Sequence, residues 1–302
     1  MKKLTTILLA TAALLVAAVS CNKDGNEPEG NMAVLSYEVN LSEAATKAIG
    51  DGTMVDKMVY AIFDENGTQV KKEVVEKVGS QFSFSPSLYY GKTYRIVLFA
   101  YKDGAYTVDD ITAIVRIEDG EEADAFALTE TVKITLDGKL QINGGDPVVT
   151  TTRSVELTRP VAQLAVATEV FSDMETAGAA KIQIVLNVPG TYNAMTGAVG
   201  PAADATYTTA VADLGSISVS GKAYTVVSCS YLYPTDTQDV IINVLKEDDT
   251  VLRKITLTNV PLRSNQKTNI YGNLVKGELT FNVSMDVEFE KNEQDKDNEV
   301  EL

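Results

Sequence analysis

The sequence predicts an all-β chain folded as two tandem antiparallel β-sandwiches, and three observations carry that reading. Apolar and polar residues alternate along most of the chain, the period-two mark of half-buried strands. Gly, Asn, Asp and Pro interrupt the alternation at short intervals, so the strands are many and brief. The pattern also falls into two sets of about seven strands, parted where Asn143-Gly144-Gly145-Asp146-Pro147 breaks it. A sheet with one apolar face must bury it against another, and two sets therefore imply two sandwiches.

In Ala33–Leu41 the odd positions are apolar. Lys57–Phe63 follows and closes on Asp64-Glu65-Asn66-Gly67, whose Asn-Gly pair tolerates the positive φ of a tight hairpin. Further strands are expected at Gln69–Val78, Gln81–Ser85, Tyr94–Tyr101, Ile111–Ile117 and Thr131–Leu136, with a short helix at Gly120–Leu128. The second set starts near Ser154. It comprises Val161–Thr168, Lys181–Val188, Thr206–Leu214, Ala223–Tyr233, Asp239–Lys246, Val251–Val260 and Asn269–Val275. In Lys181–Val188 the residues Ile182, Ile184, Leu186 and Val188 share a face. The last strand alternates most clearly, through Leu279, Phe281, Val283, Met285, Val287 and Phe289. Residues 291–302 are mostly charged and polar, and disorder is expected there. The expected domains are 33–150 and 151–290.

The first thirty residues have another character. Met1-Lys2-Lys3 opens a basic end, Ile7–Val19 is apolar, and the small residue Ser20 precedes Cys21, the three-part pattern of an export signal. The apolar run is shorter than the roughly 20 residues a membrane-spanning helix needs. Ala18-Val19-Ser20-Cys21 resembles the bacterial lipobox, which implies cleavage after residue 20 and lipid, with acyl chains such as palmitate, on Cys21. Two acyl chains anchor stably where one is marginal. Residues 21–32 then read as a flexible tether. Their Lys23-Asp24 resembles the short acidic signals of surface-exposed lipoproteins in the Bacteroides group.

Composition removes most chemistries. Lys+Arg 26 against Asp+Glu 42 gives a net charge of −16, and loss of Lys2 and Lys3 with the signal takes it to −18. A chain this acidic repels phosphate backbones, so nucleic acid is not an expected partner. With no histidine, the histidine-dependent triads and zinc sites are excluded. Cys229 is the one cysteine besides Cys21 and lies in an apolar strand, where an inert buried thiol is expected. Carboxylate chemistry remains, but Asp109-Asp110, Glu121-Glu122 and Asp248-Asp249 read as turn or solvated pairs. Asp51-Gly52 and Asp64–Gly67 lack the spacing of an EF-hand loop. Tyr89-Tyr90 and Tyr231-Tyr233 read as packing rather than ligand platforms. No catalytic residue, metal site or cofactor is expected, and the chain is not expected to be an enzyme.

Three segments carry a family resemblance. Val155–Leu164, with Arg159-Pro160 before a Val-Ala strand, resembles the opening of the second domain in the Bacteroides-type fimbrillin superfamily. Val260–Leu274, with Asn265, Lys267-Thr268 and Gly272-Asn273, resembles the late segment of those proteins. Ala45-Thr46-Lys47-Ala48, followed by the strand into Phe63–Gly67, resembles their early loop. The three span the chain in the family's order, beside a lipobox.

The resemblance implies two transthyretin-like sandwiches and a stalk, tip or anchor subunit of a type V fimbria, with a role in adhesion. For a stalk subunit it implies cleavage between Lys47 and Ala48, although Arg is commoner at the first position, and loss of the first strand, Ala33–Leu41; uncut, the chain would stay lipid-anchored as a terminal or anchor subunit. The C-terminal strand 279–289 of another subunit would fill the vacated groove. A strand entering such a groove gains ladder hydrogen bonds and fills the core with alternate side chains. Six large apolar residues would contribute about 10 kcal/mol before ordering costs. The expected partners are other pilus subunits, the outer membrane through Cys21, and host or bacterial surface ligands. The alternative reading is a non-polymerising surface lipoprotein that binds glycan or a host ligand.

Overall fold

In the computed structural model, which describes residues 31–41, 52–117, 123–276, 281–286 and 298–300, the alternating segments are strands. The first half contains β1 (Met32–Val34), β2 (Ser36–Leu41), β3 (Lys57–Phe63), β4 (Gln69–Glu76), β5 (Phe82–Phe84) and β6 (Ser87–Tyr89). It continues with β7 (Thr93–Tyr101), β8 (Tyr106–Thr107), β9 (Ile114–Arg116), β10 (Ala125–Ile134), β11 (Leu140–Ile142) and β12 (Thr152–Leu157). The second half has β13 (Ala162–Thr168), α1 (Phe171–Ala177), β14 (Lys181–Pro189), β15 (Thr191–Asn193), β16 (Ala198–Val199) and β17 (Ala202–Ala210). After these come β18 (Ser216–Val219), β19 (Lys222–Leu232), β20 (Asp236–Leu245) and β21 (Val251–Leu262). The last three are β22 (Lys267–Gly272), β23 (Phe281–Asp286) and β24 (Asn298–Val300).

Two sandwiches lie in tandem. In the first, a sheet ordered β11-β10-β7-β3-β4 packs on a short sheet ordered β12-β2-β5. Their shared core holds Tyr60, Ile62, Ile96, Leu98, Phe126 and Val132 from one sheet and Tyr37, Val39, Phe82, Val155 and Leu157 from the other. In the second, a sheet ordered β18-β19-β13-β22-β23-β24 packs on β17-β14-β20-β21. There Leu164, Val166, Ile270 and Val283 meet Ile182, Ile184, Ile242 and Val244. Pairing among the described strands is antiparallel except for β2 with β12 and β13 with β22.

The halves are joined by a third apolar layer. The outer face of the first long sheet presents Val59, Ala61, Val97, Phe99, Ala125 and Ala127 to Val161, Tyr192, Cys229, Tyr231 and Tyr233. A strand buried on both faces loses its alternation and reads as one apolar run. That is why β3, Lys-Met-Val-Tyr-Ala-Ile-Phe, is almost wholly buried. A small sheet ordered β16-β15-β9-β8 also crosses between the halves, pairing Tyr192 with Ile114.

Four local expectations are corrected. Residues 125–128 of the segment expected as a short helix are the start of β10, whose Ala125, Phe126 and Ala127 are all buried. The described residues contain one helix, α1, where none was expected. Strand β12, assigned by the break at 150/151 to the second domain, pairs with β2 in the first. Asn298–Val300, in the segment expected to be disordered, pairs with β23.

Candidate functional site

The strand β2 is held on both sides. It runs parallel to β12, with Tyr37 opposite Arg153 and Val39 opposite Val155, and antiparallel to β5, with Tyr37 opposite Phe84 and Val39 opposite Phe82. Alternation explains the orientation: Leu35, Tyr37 and Val39 point into the core at 1%, 1% and 0% exposure, while Glu38 faces solvent. Burying side chains such as Leu35 and Val39 stabilises the fold by about 1.5–3 kcal/mol each. Upstream, β1 pairs with β6, and Leu35 donates its N–H to the Pro86 carbonyl at 3.0 Å. Without β2, β12 and β5 would border an open slot lined by the first core.

A polar group crosses that core. Glu130 on β10 lies under the row Arg153–Tyr37–Phe84, its side chain 2% exposed. The Tyr37 hydroxyl donates to Glu130 Oε1 at 2.7 Å. Arg153 donates to Oε2 from Nη2 at 2.8 Å and from Nε at 3.2 Å, and reaches Oε1 from Nε at 3.3 Å. Burial, and then the Glu130 charge, push the Tyr37 hydroxyl far above its ordinary pKa, so it stays a neutral donor. The Tyr37 ring stacks on Phe84 at 4.6 Å, and Phe84 stacks on Tyr60 at 4.2 Å. The Glu130–Arg153 pair went unread in the sequence. Its signal was present: Glu130 shares the alternating face of Phe126, Leu128, Val132 and Ile134.

Phe281, Val283 and Met285 of the candidate donor strand lie on β23, paired with Gly272, Ile270 and Thr268 of β22. Val283 is 1% exposed within the second core. Leu279, Val287 and Phe289 lie outside the described residues, as do Cys21, Lys47 and Ala48.

Several other candidates are held in turns, an ion pair or packing. Asp64 Oδ1 accepts the N–H groups of Asn66 and Thr68 at 2.9 and 2.8 Å, which makes that loop a hairpin turn. Asp110 accepts from Thr112 N–H at 2.8 Å and hydroxyl at 2.7 Å, and these bonds lower its pKa. Asp248 accepts from Thr250 N–H at 3.0 Å, and Asp249 pairs with Lys181 at 2.9 Å. Tyr231 and Tyr233 are buried between the sandwiches. Glu121-Glu122 and Asp51 lie outside the described residues.

Residues 26–302 match a family described as a family of unknown function (DUF6562). No curated protein sequence matches the chain. Among solved structures, the tip fimbrial protein Mfa3 from Porphyromonas gingivalis, with C-terminal truncation, is similar over 84% of this chain and 99% of that one. Its identity is 12% and its TM-score 0.51. A fimbrial assembly protein from Parabacteroides distasonis is similar over 84% of this chain and 95% of that one, at 11% identity and a TM-score of 0.47. The fimbrial anchor protein Mfa2 from P. gingivalis covers 84% and 97%, at 10% identity and a TM-score of 0.44. The likeness to Mfa3 is one of fold, and it is the fold that the fimbrillin resemblance implied.

Proposed function

The chain belongs to the family of unknown function DUF6562, and from its architecture we propose that it is a structural subunit of a cell-surface fimbria assembled by strand exchange. The observation that carries this reading is the position of β2. It is the middle strand of a three-stranded sheet, buried against the first core, and it lies on the N-terminal side of Lys47. One cut after Lys47 would therefore detach the strand whose departure opens the slot between β12 and β5. The fold shared with a fimbrial tip protein supports the same reading. In this scheme the chain is exported as a lipoprotein, with residues 1–20 removed and lipid on Cys21 holding it at the outer membrane through the tether 21–32.

The pairing of β23 within its own sheet favours one form of the proposal. A subunit that accepts a strand in place of β2 while β23 stays paired in its own sheet suits the tip of a filament better than its stalk, whereas an anchor would keep both Cys21 and β2. The test is the N-terminal residue of the protein recovered from surface filaments, together with its response to a trypsin-like protease. Ala48 and SDS-resistant ladders are expected of a stalk subunit. Cys21 without ladders, in a protein co-purifying with filaments, is expected of an anchor. Protein that never accompanies filaments would sink the fimbrial reading and favour a monomeric surface lipoprotein.

A further inference from the structure

An apolar groove that accepts any alternating strand has no use for a buried carboxylate, yet the slot around β2 has one. Glu130 is nearly sealed from water and sits where the middle inward side chain of the resident strand arrives. Arg153 satisfies mainly Oε2, at 2.8 and 3.2 Å, and touches Oε1 only at 3.3 Å. The short bond to Oε1, 2.7 Å, comes from the strand itself, through Tyr37. A strand without a donor at that position leaves a buried carboxylate oxygen short of a partner, the costly half of a broken hydrogen bond. The ring matters as well as the hydroxyl, because it completes the stack on Phe84.

We propose that Glu130 selects the strand that fills this slot, favouring a strand of another protein that carries tyrosine between two aliphatic residues, as in Leu35-Ser36-Tyr37-Glu38-Val39. The proposal rests on the reading that β2 is exchanged. It also excludes one partner, a second copy of this chain acting through residues 279–289. The apolar face of that segment is Leu279, Phe281, Val283, Met285, Val287 and Phe289, with no hydroxyl or amide among them. A slip of one residue brings Thr280, Asn282 or Ser284 to the slot but turns the whole apolar face outward. No register supplies both.

The test uses the full chain with a site-specific protease sequence inserted between Leu41 and Gly52, cut, and offered synthetic peptides that compete with the resident strand. One peptide carries Ala33–Leu41, the second the same with Tyr37→Phe, and the third Leu279–Phe289. The first is expected to bind about 10- to 100-fold more tightly than the second, the range for a hydrogen bond to a charged group. The third is expected to bind more weakly than the first. In a chain carrying Glu130→Gln, whose amide oxygen offers Tyr37 only a neutral partner, the gap between the first two should narrow. Equal binding of the first two, or tighter binding of the third, overturns the selection by Glu130 while leaving exchange intact. Entry of no peptide overturns both.

Discussion

Arg159 grips Asp124 through two hydrogen bonds, Nε to Oδ1 at 2.9 Å and Nη2 to Oδ2 at 3.1 Å, with its guanidinium carbon 4.3 Å from the centre of the Phe126 ring. The side chains are 0% and 2% exposed. Asp124 leads into β10 and Arg159 joins β12 to β13, so the pair ties the crossing between the sandwiches to a central strand of the first. Removing one partner leaves a buried charge uncompensated. Arg159→Met is expected to cost about 3–5 kcal/mol, and the double variant with Asp124→Leu to recover much of it. Urea unfolding of the single and double variants checks this. A single-variant loss within a few tenths of a kcal/mol would show that the pair fastens nothing.

Alkali should loosen the layer between the halves. Burial pushes the Tyr192 hydroxyl up to about 12, from an ordinary value of 10.0, and raises Tyr106, Tyr231 and Tyr233 as well. Below pH 10 these groups are neutral whether the chain is folded or not, and stability is flat with respect to them. Above pH 10 the unfolded chain ionises while the folded one holds its protons, so stability falls as pH rises. With one pKa unit worth about 1.4 kcal/mol and the folded group half ionised at pH 12, the share of Tyr192 is about 2 kcal/mol by pH 12. Urea midpoints measured from pH 8 to 12 should bend downward above 10, and less so for Tyr192→Phe. An identical bend in both proteins would rule out this source.

Much of the strand pattern was legible because most strands here bury one face. Lys181–Val188 reads from its alternation, and the same four residues point into the second core. Legibility fails where both faces are buried: in Ala125-Phe126-Ala127 the middle residue enters the first core and its neighbours the layer between sandwiches. The alternation vanishes, and a run of small apolar residues resembles a helix. Helix α1 was missed because seven residues with Met174 alone buried make no periodic face, although Gly178 at φ 70 marks its end. The partner of β12 was beyond reach, since a parallel pair closed by more than a hundred intervening residues leaves no local trace. At the site, the apolar residues of β2 were readable and Glu130 was not. Its place on the apolar face of Phe126, Leu128, Val132 and Ile134 is hidden when residues 120–128 read as a helix, and its partner Arg153 lies on another strand.

Cys229 is expected to be inert in the folded chain. It is 1% exposed, opposite Ala165 and packed in the layer with Tyr231 and Tyr233. Reaction requires a thiolate that a reagent can reach, which here demands opening of the seam. In a chain carrying Cys21→Ser, labelling by an aromatic disulfide should follow the unfolding equilibrium and quicken with urea. Full labelling within minutes, with the circular dichroism of the native protein retained, would mean that the seam opens without unfolding.

Two glycines separate backbone strain from crowding. Gly67 in the first hairpin has φ +80 and open space where a Cβ would stand, so Gly67→Ala meets only the left-handed backbone penalty, about 1 kcal/mol. Gly52 has nearly the same φ, +72, but a Cβ there would lie 3.0 Å from Phe126 Cζ and 3.4 Å from Leu41 Cδ1. Phe126 belongs to the first core and Leu41 ends β2, so the added atom must displace the ring or press on the strand. Overpacking of this kind adds about 1–3 kcal/mol to the backbone term. Gly52→Ala should therefore lower the urea midpoint more than Gly67→Ala, at an unchanged dependence on urea. Because the extra strain falls on Leu41, it should also speed release of β2 from the cut chain, which the peptide exchange reads directly. Equal losses for the two variants would mean that the ring moves aside freely and that Gly52 guards nothing beyond its own φ.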